Sequence, residues 1–302
     1  MTKRVAITGS SGLIGGALRR ALAGRGDEVL RLVRHSPAAP DEVQWDPARG
    51  RLDEAALDGV DAVVNLAGVG IGDRRWNAEH KREVERSRTD ATGTVAQALV
   101  AHRDRTGEAI RLVNASAVGY YGDRGEEHLT ETSAPGQDYL SGVVVRWEGA
   151  AQPAVDAGLS VALVRTGLVM AQHGGAFEQV VLLGRLGLGG PMASGREWWP
   201  WITLTDEVRA ILHLVDRPEL TGPFNLAAPG SARQQEIASA IGAALSRPAF
   251  VPAPHFALRA AIGEFADYVV ASQRVEPEAL LASGFVFEHP DLDPAVRWLV
   301  QR

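Results

Sequence analysis

The sequence predicts an α/β fold: a doubly wound parallel sheet with a small, mostly helical C-terminal region on the substrate side. Three observations predict it. A short apolar run, Val5-Ala6-Ile7, passes through a glycine turn into a helical pattern. Strand-like runs then alternate with helical stretches as far as Thr166. From Gly174 the chain becomes glycine-rich, then aromatic, then helical.

The first strand stops at Thr8-Gly9 and turns through Ser10-Ser11-Gly12. Leu13, Ile14, Ala17, Leu18, Ala21 and Leu22 then recur at three- and four-residue steps, the period of a helix with one buried face. Gly9, Gly12 and Gly15 form a GxxGxxG spacing, a relative of the dinucleotide fingerprint. One glycine permits the tight turn, one lets backbone approach a pyrophosphate, and one lets helix pack closely on strand. The free N–H groups of the helix start then face the phosphates. Candidate cofactor residues are therefore Gly9, Ser10, Ser11, Gly12, Leu13, Ile14 and Gly15.

Glu28 to Val33 reads as the second strand. An acidic residue after this strand suits a ribose hydroxyl, and an arginine suits a 2′-phosphate. Here Arg34-His35-Ser36 follows, so NADP(H) is expected rather than NAD. A charge-assisted arginine–phosphate contact is typically worth ~1.5–3 kcal/mol, roughly ten- to a hundredfold in affinity. Val43 to Trp45 is a short strand, Leu52 to Leu57 a small helix, and Asp61 to Leu66 a buried strand closing on Ala67-Gly68. Leu66, Ala67 and Gly68 thus stand at a strand's carboxyl end, where ligands of open α/β sheets lie.

Trp76 to about Ala101 reads as a long charged helix with Val84, Ala91, Val95, Ala98 and Leu99 on its buried face. Ile110 to Ala115 is a strand ending at Ser116, and Ala117 to Gly122 is a turn with two tyrosines. Gly142 to Ala157 reads as a helix and Val161 to Val164 as the next strand, which finishes in Arg165-Thr166-Gly167. Arg165 joins the cofactor candidates from that strand end. Beyond lie Arg185 to Pro191 (RLGLGGP), the Trp198–Trp201 run, a late strand at Gly222–Leu226 and a helix at Ser231–Leu245. Residues 1–170, with segments returning at about 200–245, form the expected nucleotide-binding domain. Residues 171–302 form the substrate side, including a small C-terminal domain at about 248–300.

Bulk composition narrows the function classes. The 302 residues carry a net charge of −6, which argues against a general nucleic-acid or anionic-membrane binder. The absence of cysteine excludes disulfides, thiolate metal sites and a cysteine nucleophile. No apolar run approaches the ~20 residues that span a bilayer, and no leader precedes the first strand, so a cytoplasmic protein is expected. His173, His213, His255 and His289 are scattered without partners at ligand spacing, and no metal site is expected.

With these residues in view, the chain resembles an extended or atypical short-chain dehydrogenase/reductase. More narrowly it resembles the epimerase family proteins, related to nucleoside-diphosphate-sugar epimerases and carrying a small C-terminal domain of unknown function. The resemblance runs from Lys3 to Val300. It rests on NLAG (Asn65–Gly68), the segment from Arg75-Trp76 to Ser87-Arg88, GYYGD (Gly119–Asp123), Trp147-Glu148, RLGLGGPMASGREWWPWI (Arg185–Ile202) and GPFN (Gly222–Asn225). It implies a Rossmann-like fold binding NADP(H) through the glycine turn, Arg34, Leu66 and Ala67. It further implies that Glu83 and Arg88 reach the cofactor and that Val169 lies beside the nicotinamide.

In extended members a Ser or Thr polarises the substrate, a tyrosine moves the proton, and a lysine four residues later lowers the tyrosine pKa. An unperturbed tyrosine near ~10 is a poor base at neutral pH. Ser116 fits the serine position, also beside the cofactor, and Tyr139 the tyrosine, but Val143 stands where the lysine belongs. Three readings stay open: Tyr139 works with its phenolate helped only by the oxidised nicotinamide's positive charge; Tyr120, Tyr121 or Glu148 moves the proton; or the fold binds NADP(H) without turnover. On the substrate side, Arg196, Trp199 and Trp201 are candidates, Arg196 for a phosphate. The reading is an NADP-dependent oxidoreductase or epimerase acting on a small polar compound, nucleotide-linked sugars included. Extended relatives also form homodimers through helices flanking the sheet.

Overall fold

The computed structural model describes residues 2–301. Seven strands make one all-parallel sheet: β1 (Arg4–Thr8), β2 (Glu28–Val33), β3 (Glu42–Gln44), β4 (Ala62–Asn65), β5 (Arg111–Ala117), β6 (Val161–Thr166) and β7 (Gly222–Leu226). Their spatial order is β7-β6-β5-β4-β1-β2-β3, so the order reverses beside β1, where α/β sheets place ligands. The Rossmann-like, doubly wound architecture expected from the sequence is the one observed.

Strand side chains alternate between two helical layers. On one face Val5, Ile7, Ala62, Val64, Val113 and Val164 meet α1 (Leu13–Gly24) and the helix Leu204–Asp216 through Leu18, Leu22, Val208 and Ile211. On the other, Ala6, Val63, Leu112 and Val161 meet α2 (Ala78–Thr106) through Ala91, Val95 and Leu99. A third cluster, with Phe177, Trp199, Trp201, Ile237, Ile241, Val296 and Leu299, sits under the later segments.

Local chemistry explains where elements depart from the sequence reading. The long helix starts at Ala78 rather than Trp76 because the Asn77 side chain accepts from the His80 N–H, and it runs on to Thr106, where Gly107 takes a φ of 79°. The single helix expected over Gly142–Ala157 is two: α3 (Tyr139–Gly149), capped by Asp138, and Gln152–Asp156, which contains Pro153. Proline has no N–H for the helical ladder. The expected helix at Ser231–Leu245 begins at Gln234, after a short strand Ala232–Arg233 that pairs antiparallel with Trp198–Trp199. A parallel pair of short strands, Leu168–Met170 with Trp201–Thr203, had no sequence forecast.

Candidate functional site

The glycine turn is built by close backbone approach. Gly9 takes a φ of +64°, and a Cβ there would lie 2.8 Å from the Leu66 carbonyl oxygen. A Cβ on Gly15 would meet the Gly9 oxygen at 2.2 Å, which is how closely α1 settles on the turn. Gly12 is the N-cap of α1. It brings no side-chain hydrogen bond, and the first turn carries no acid. The orphan N–H groups of this helix are therefore offered outward, the arrangement that receives a phosphate.

The floor beside the turn is set by one threonine. Thr8 Oγ1 donates to Asn65 Oδ1 (2.7 Å) and accepts from the Leu66 and Ala67 N–H groups (2.9 and 3.0 Å). Asn65 in turn donates to Thr92 Oγ1 (3.0 Å) and Asn114 Oδ1 (2.6 Å). This fully buried net locks the carboxyl ends of β1, β4 and β5 to α2. Two cations stand nearby without an acid. Arg34 is exposed at the end of β2 and makes no ion pair among the described residues. Arg88 is half-buried. Its guanidinium donates to the Val69 and Val84 carbonyls (2.9 and 3.0 Å) and lies over the Trp147 ring at 5.1 Å. It also covers Gly68, and burial lowers its pKa to about 10. Glu83 sits apart from this arrangement, paired with Arg74 at 2.5 Å. Val169 lies in the short strand Leu168–Met170. The Gly174-Gly175 turn just after it rests on Leu13 of α1.

Around Ser116 the side chains satisfy one another. Ser116 lies inside β5, not past its end, and its Oγ donates to Glu148 Oε1 at 2.5 Å. Glu148 receives Arg165 through two bonds, Nε–Oε1 at 2.8 Å and Nη2–Oε2 at 2.9 Å. Arg165 lies 3.5 Å under the Tyr120 ring and donates to the Tyr121 hydroxyl, which donates to Asn225 Oδ1 at 2.7 Å.

Two expectations need correction on this geometry: Tyr121 as the proton-moving group, and Trp199 with Trp201 as substrate residues. Arg165 is buried, and against the desolvation of that burial its bonds to Glu148 hold it firmly protonated within the Ser116 network. Tyr121 is not a ready acid or base, because burial pushes its pKa up to about 12 and both sides of its hydroxyl are occupied. Trp199 and Trp201 are core residues, their indole N–H groups bound to the Val269 and Gly230 carbonyls. Arg196 is exposed, and its carbonyl accepts from Arg233. Tyr139 opens α3, with its hydroxyl donating to the Lys81 carbonyl at 2.6 Å. Burial, then the Glu85 carboxylate, raises its pKa, and Val143 is buried.

Sequence reasoning missed Glu207. It is fully buried, Thr166 Oγ1 donates to its Oε1 at 2.7 Å, and its Oε2 has no partner. Burial pushes its pKa up to about 8. The signal was available: Glu207 stands at an apolar position of a helix whose Ala210, Ile211 and Leu214 share its face. Among the described residues no three His, Asp or Glu side chains converge as metal ligands, and no helix is long and apolar enough to cross a membrane.

Comparison with known proteins agrees with this geometry. Residues 5–227 match the profile of the NAD dependent epimerase/dehydratase family, and residues 253–299 match a domain of unknown function, DUF1731. The chain is 41% identical to an epimerase family protein of Mycobacterium leprae over 99% of its own length and 96% of the relative's. It is similar to the crystal structure of human epimerase family protein SDR39U1 with NADPH, with a TM-score of 0.88 and 34% identity over 98% of this chain and 99% of that one. A UDP-N-acetylglucosamine 4-epimerase from Bacillus cereus shares the fold at a TM-score of 0.77 and 16% identity, covering 99% of this chain and 98% of that one.

Proposed function

The chain belongs to the NAD dependent epimerase/dehydratase family, and on that premise we propose that it is an NADP(H)-dependent oxidoreductase or epimerase acting on a small polar carbonyl or hydroxyl compound. The observation that carries this reading is the uncapped start of α1 over Gly9, Gly12 and Gly15. Its cradle fits a pyrophosphate, since a side chain at Gly9 or Gly15 would collide with backbone. Arg34 holds the 2′-phosphate, Leu66 to Gly68 form the floor, and Arg88 supplies a cation over that floor. NADPH in the human relative's crystal supports the choice of cofactor.

When bound, the nicotinamide gives or takes hydride. The chain's own part is the proton. Ser116 Oγ meets the reacting oxygen, and its bond to Glu148 gives the proton a place to go. Neither Tyr121 nor Tyr139 is better placed: their hydroxyls donate to the Asn225 side-chain amide and the Lys81 carbonyl, neither of which can take up a proton as the Glu148 carboxylate can. The test loads stoichiometric protein with NADPH or NADP⁺ and exposes it to fractionated small-molecule extract, following nicotinamide absorbance. A change in bound cofactor that Ser116→Ala abolishes is the expected result. A change that survives Ser116→Ala removes the serine assignment.

A second reading has its own observation. With Val143 in place of a lysine and the Ser116 network internally satisfied, the fold also suits an NADP(H)-binding regulatory protein. Tight NADPH binding with silence across all fractions favours that reading.

A further inference from the structure

The segment between β4 and α2, residues 66–77, is fastened at two ends to different parts of the molecule. At its start the Leu66 and Ala67 N–H groups are held by Thr8, the Val69 N–H by Ser87 Oγ at 3.1 Å, and the Val69 carbonyl by Arg88. That end is the cofactor floor described above. At its far end the grip comes from the C-terminal helices, His255–Ile262 and Ala266–Val269. Arg75 donates to the Ala260 carbonyl at 2.6 Å. The Trp76 ring packs on Phe265 (5.5 Å, stacked), Tyr268 (4.9 Å) and Tyr139 (5.5 Å, edge-on). Lys81 lies over the Trp76 and Tyr139 rings and pairs with Glu264 at 2.5 Å. Between the two ends the chain reads Gly68-Val69-Gly70-Ile71-Gly72, with glycine at every second position. Such a run bends at little steric cost.

We propose that residues 68–77 are a hinged strap across the nucleotide cleft, latched by the Trp76 cluster and the Lys81–Glu264 pair. This rests on the cofactor reading above. A firm root, a glycine run and a latch made of side chains from another unit are the parts a strap needs. The latch is a half-buried side-chain cluster at the surface, joined to the sheet core by no strand pairing, and local units of this kind open at lower free energy than the core. The strap also gives the C-terminal helices a role: they feel whether the cleft is open or closed, because Arg75 and Trp76 move only when the latch lets go. Tyr139 then works as part of the latch, which explains why its hydroxyl is bound to the α2 backbone.

The natural chain has no cysteine, so a reducible tether can join the strap to its grip alone. Arg75→Cys, within the strap, and Ala260→Cys, on the helix it grips, are introduced together and joined by a short bis-methanethiosulfonate, and NADPH uptake and release are timed by stopped-flow nicotinamide fluorescence. Expected is uptake about tenfold slower in the tethered chain than after reduction, with release from preloaded protein slowed alike. Glu264→Gln, a milder change, raises both rates above those of the unaltered chain. Equal rates before and after reduction overturn the strap while leaving the cofactor reading intact. A chain that binds NADPH in neither state overturns the cofactor reading and the strap with it.

Discussion

Two stretches of the same sheet edge are built on opposite principles. At the ends of β1, β2 and β4 the groups face outward and lack partners: an uncapped helix start, Arg34 free in solvent, and Arg88 with carbonyls but no acid. At the ends of β5 and β6 the side chains close on one another in the series Ser116, Glu148, Arg165, Tyr121, Asn225. The first stretch is ready for an anionic ligand as it stands. At the second, Ser116 Oγ has already given its one donor to Glu148 and keeps only acceptor capacity for a newcomer. If the proposed reaction is the right reading, binding and chemistry are separable here, and substitutions at the two edges should fail in different ways.

The largest effect should come from the closed edge. Arg165→Met leaves the Glu148 carboxylate buried without its partner, and breaking a buried pair this way typically costs about 3–5 kcal/mol. Denaturant unfolding should show that loss, while the glycine turn keeps its affinity for NADPH in protein that remains folded. A loss of NADPH affinity equal to that of Arg34→Ala would merge the two edges into one unit and end the comparison.

Next comes the acid on the opposite face of β6. The folded-state pKa of Glu207 is raised to about 8 from an ordinary 4.5. Between those values the unfolded chain ionises first, so stability falls as pH climbs from about 4.5 to about 8 and levels off above. Glu207→Gln keeps the Thr166 bond and removes this slope. Relative to the unaltered chain its stability should gain on the order of 3 kcal/mol on going from pH 5 to pH 8. Parallel stability curves for the two proteins across that range would show that Glu207 does not titrate as placed.

Much of the fold was legible because one period governs each element. The strands ending at Thr8, Val33, Asn65 and Leu226 and the buried stripe of α2 follow from apolar spacing alone, and the glycine turn from the positive φ at Gly9 and the close approach at Gly15. The site was half legible. Open groups such as Arg34 can be singled out from sequence, since their exposure at a strand end depends on no partner elsewhere in the chain. Closed ones do not: Arg165 and Arg34 both follow a strand-like run, and only the partner 17 residues away, Glu148, makes Arg165 structural. Trp199 and Trp201 misled for a related reason, because their burial comes from pairing with Ala232–Arg233 and Leu168–Met170, neither readable from periodicity. Glu207 was visible as an acid in an apolar stripe, but its neighbour Thr166 lies on a different element.

At the open edge Arg34→Ala should lower NADPH affinity ten- to a hundredfold and leave NADH within about twofold, measured by equilibrium titration. Equal losses for the two nucleotides would place the 2′-phosphate elsewhere. Stability should hardly change, because Arg34 has no partner to abandon.

The sharpest test of the comparison lies in the glycine turn. Gly15 and Gly12 look equivalent in sequence, yet their surroundings differ. A Cβ at Gly15 would come within 2.2 Å of the Gly9 oxygen, so Gly15→Ala must push α1 off the turn and should destabilise the fold by about 1–3 kcal/mol. At Gly12 the φ of −72° suits any residue, and the Gly9 oxygen lies 3.3 Å from an added Cβ. Gly12→Ala should therefore cost under about 1 kcal/mol, a size typical of alanine at an N-cap. Its methyl group nonetheless stands among the outward N–H groups where a pyrophosphate would seat. NADPH affinity should fall while the unfolding curve barely moves. If Gly12→Ala instead leaves NADPH binding unchanged, the helix start is not the phosphate seat, and the unmatched groups of this edge serve some other anion.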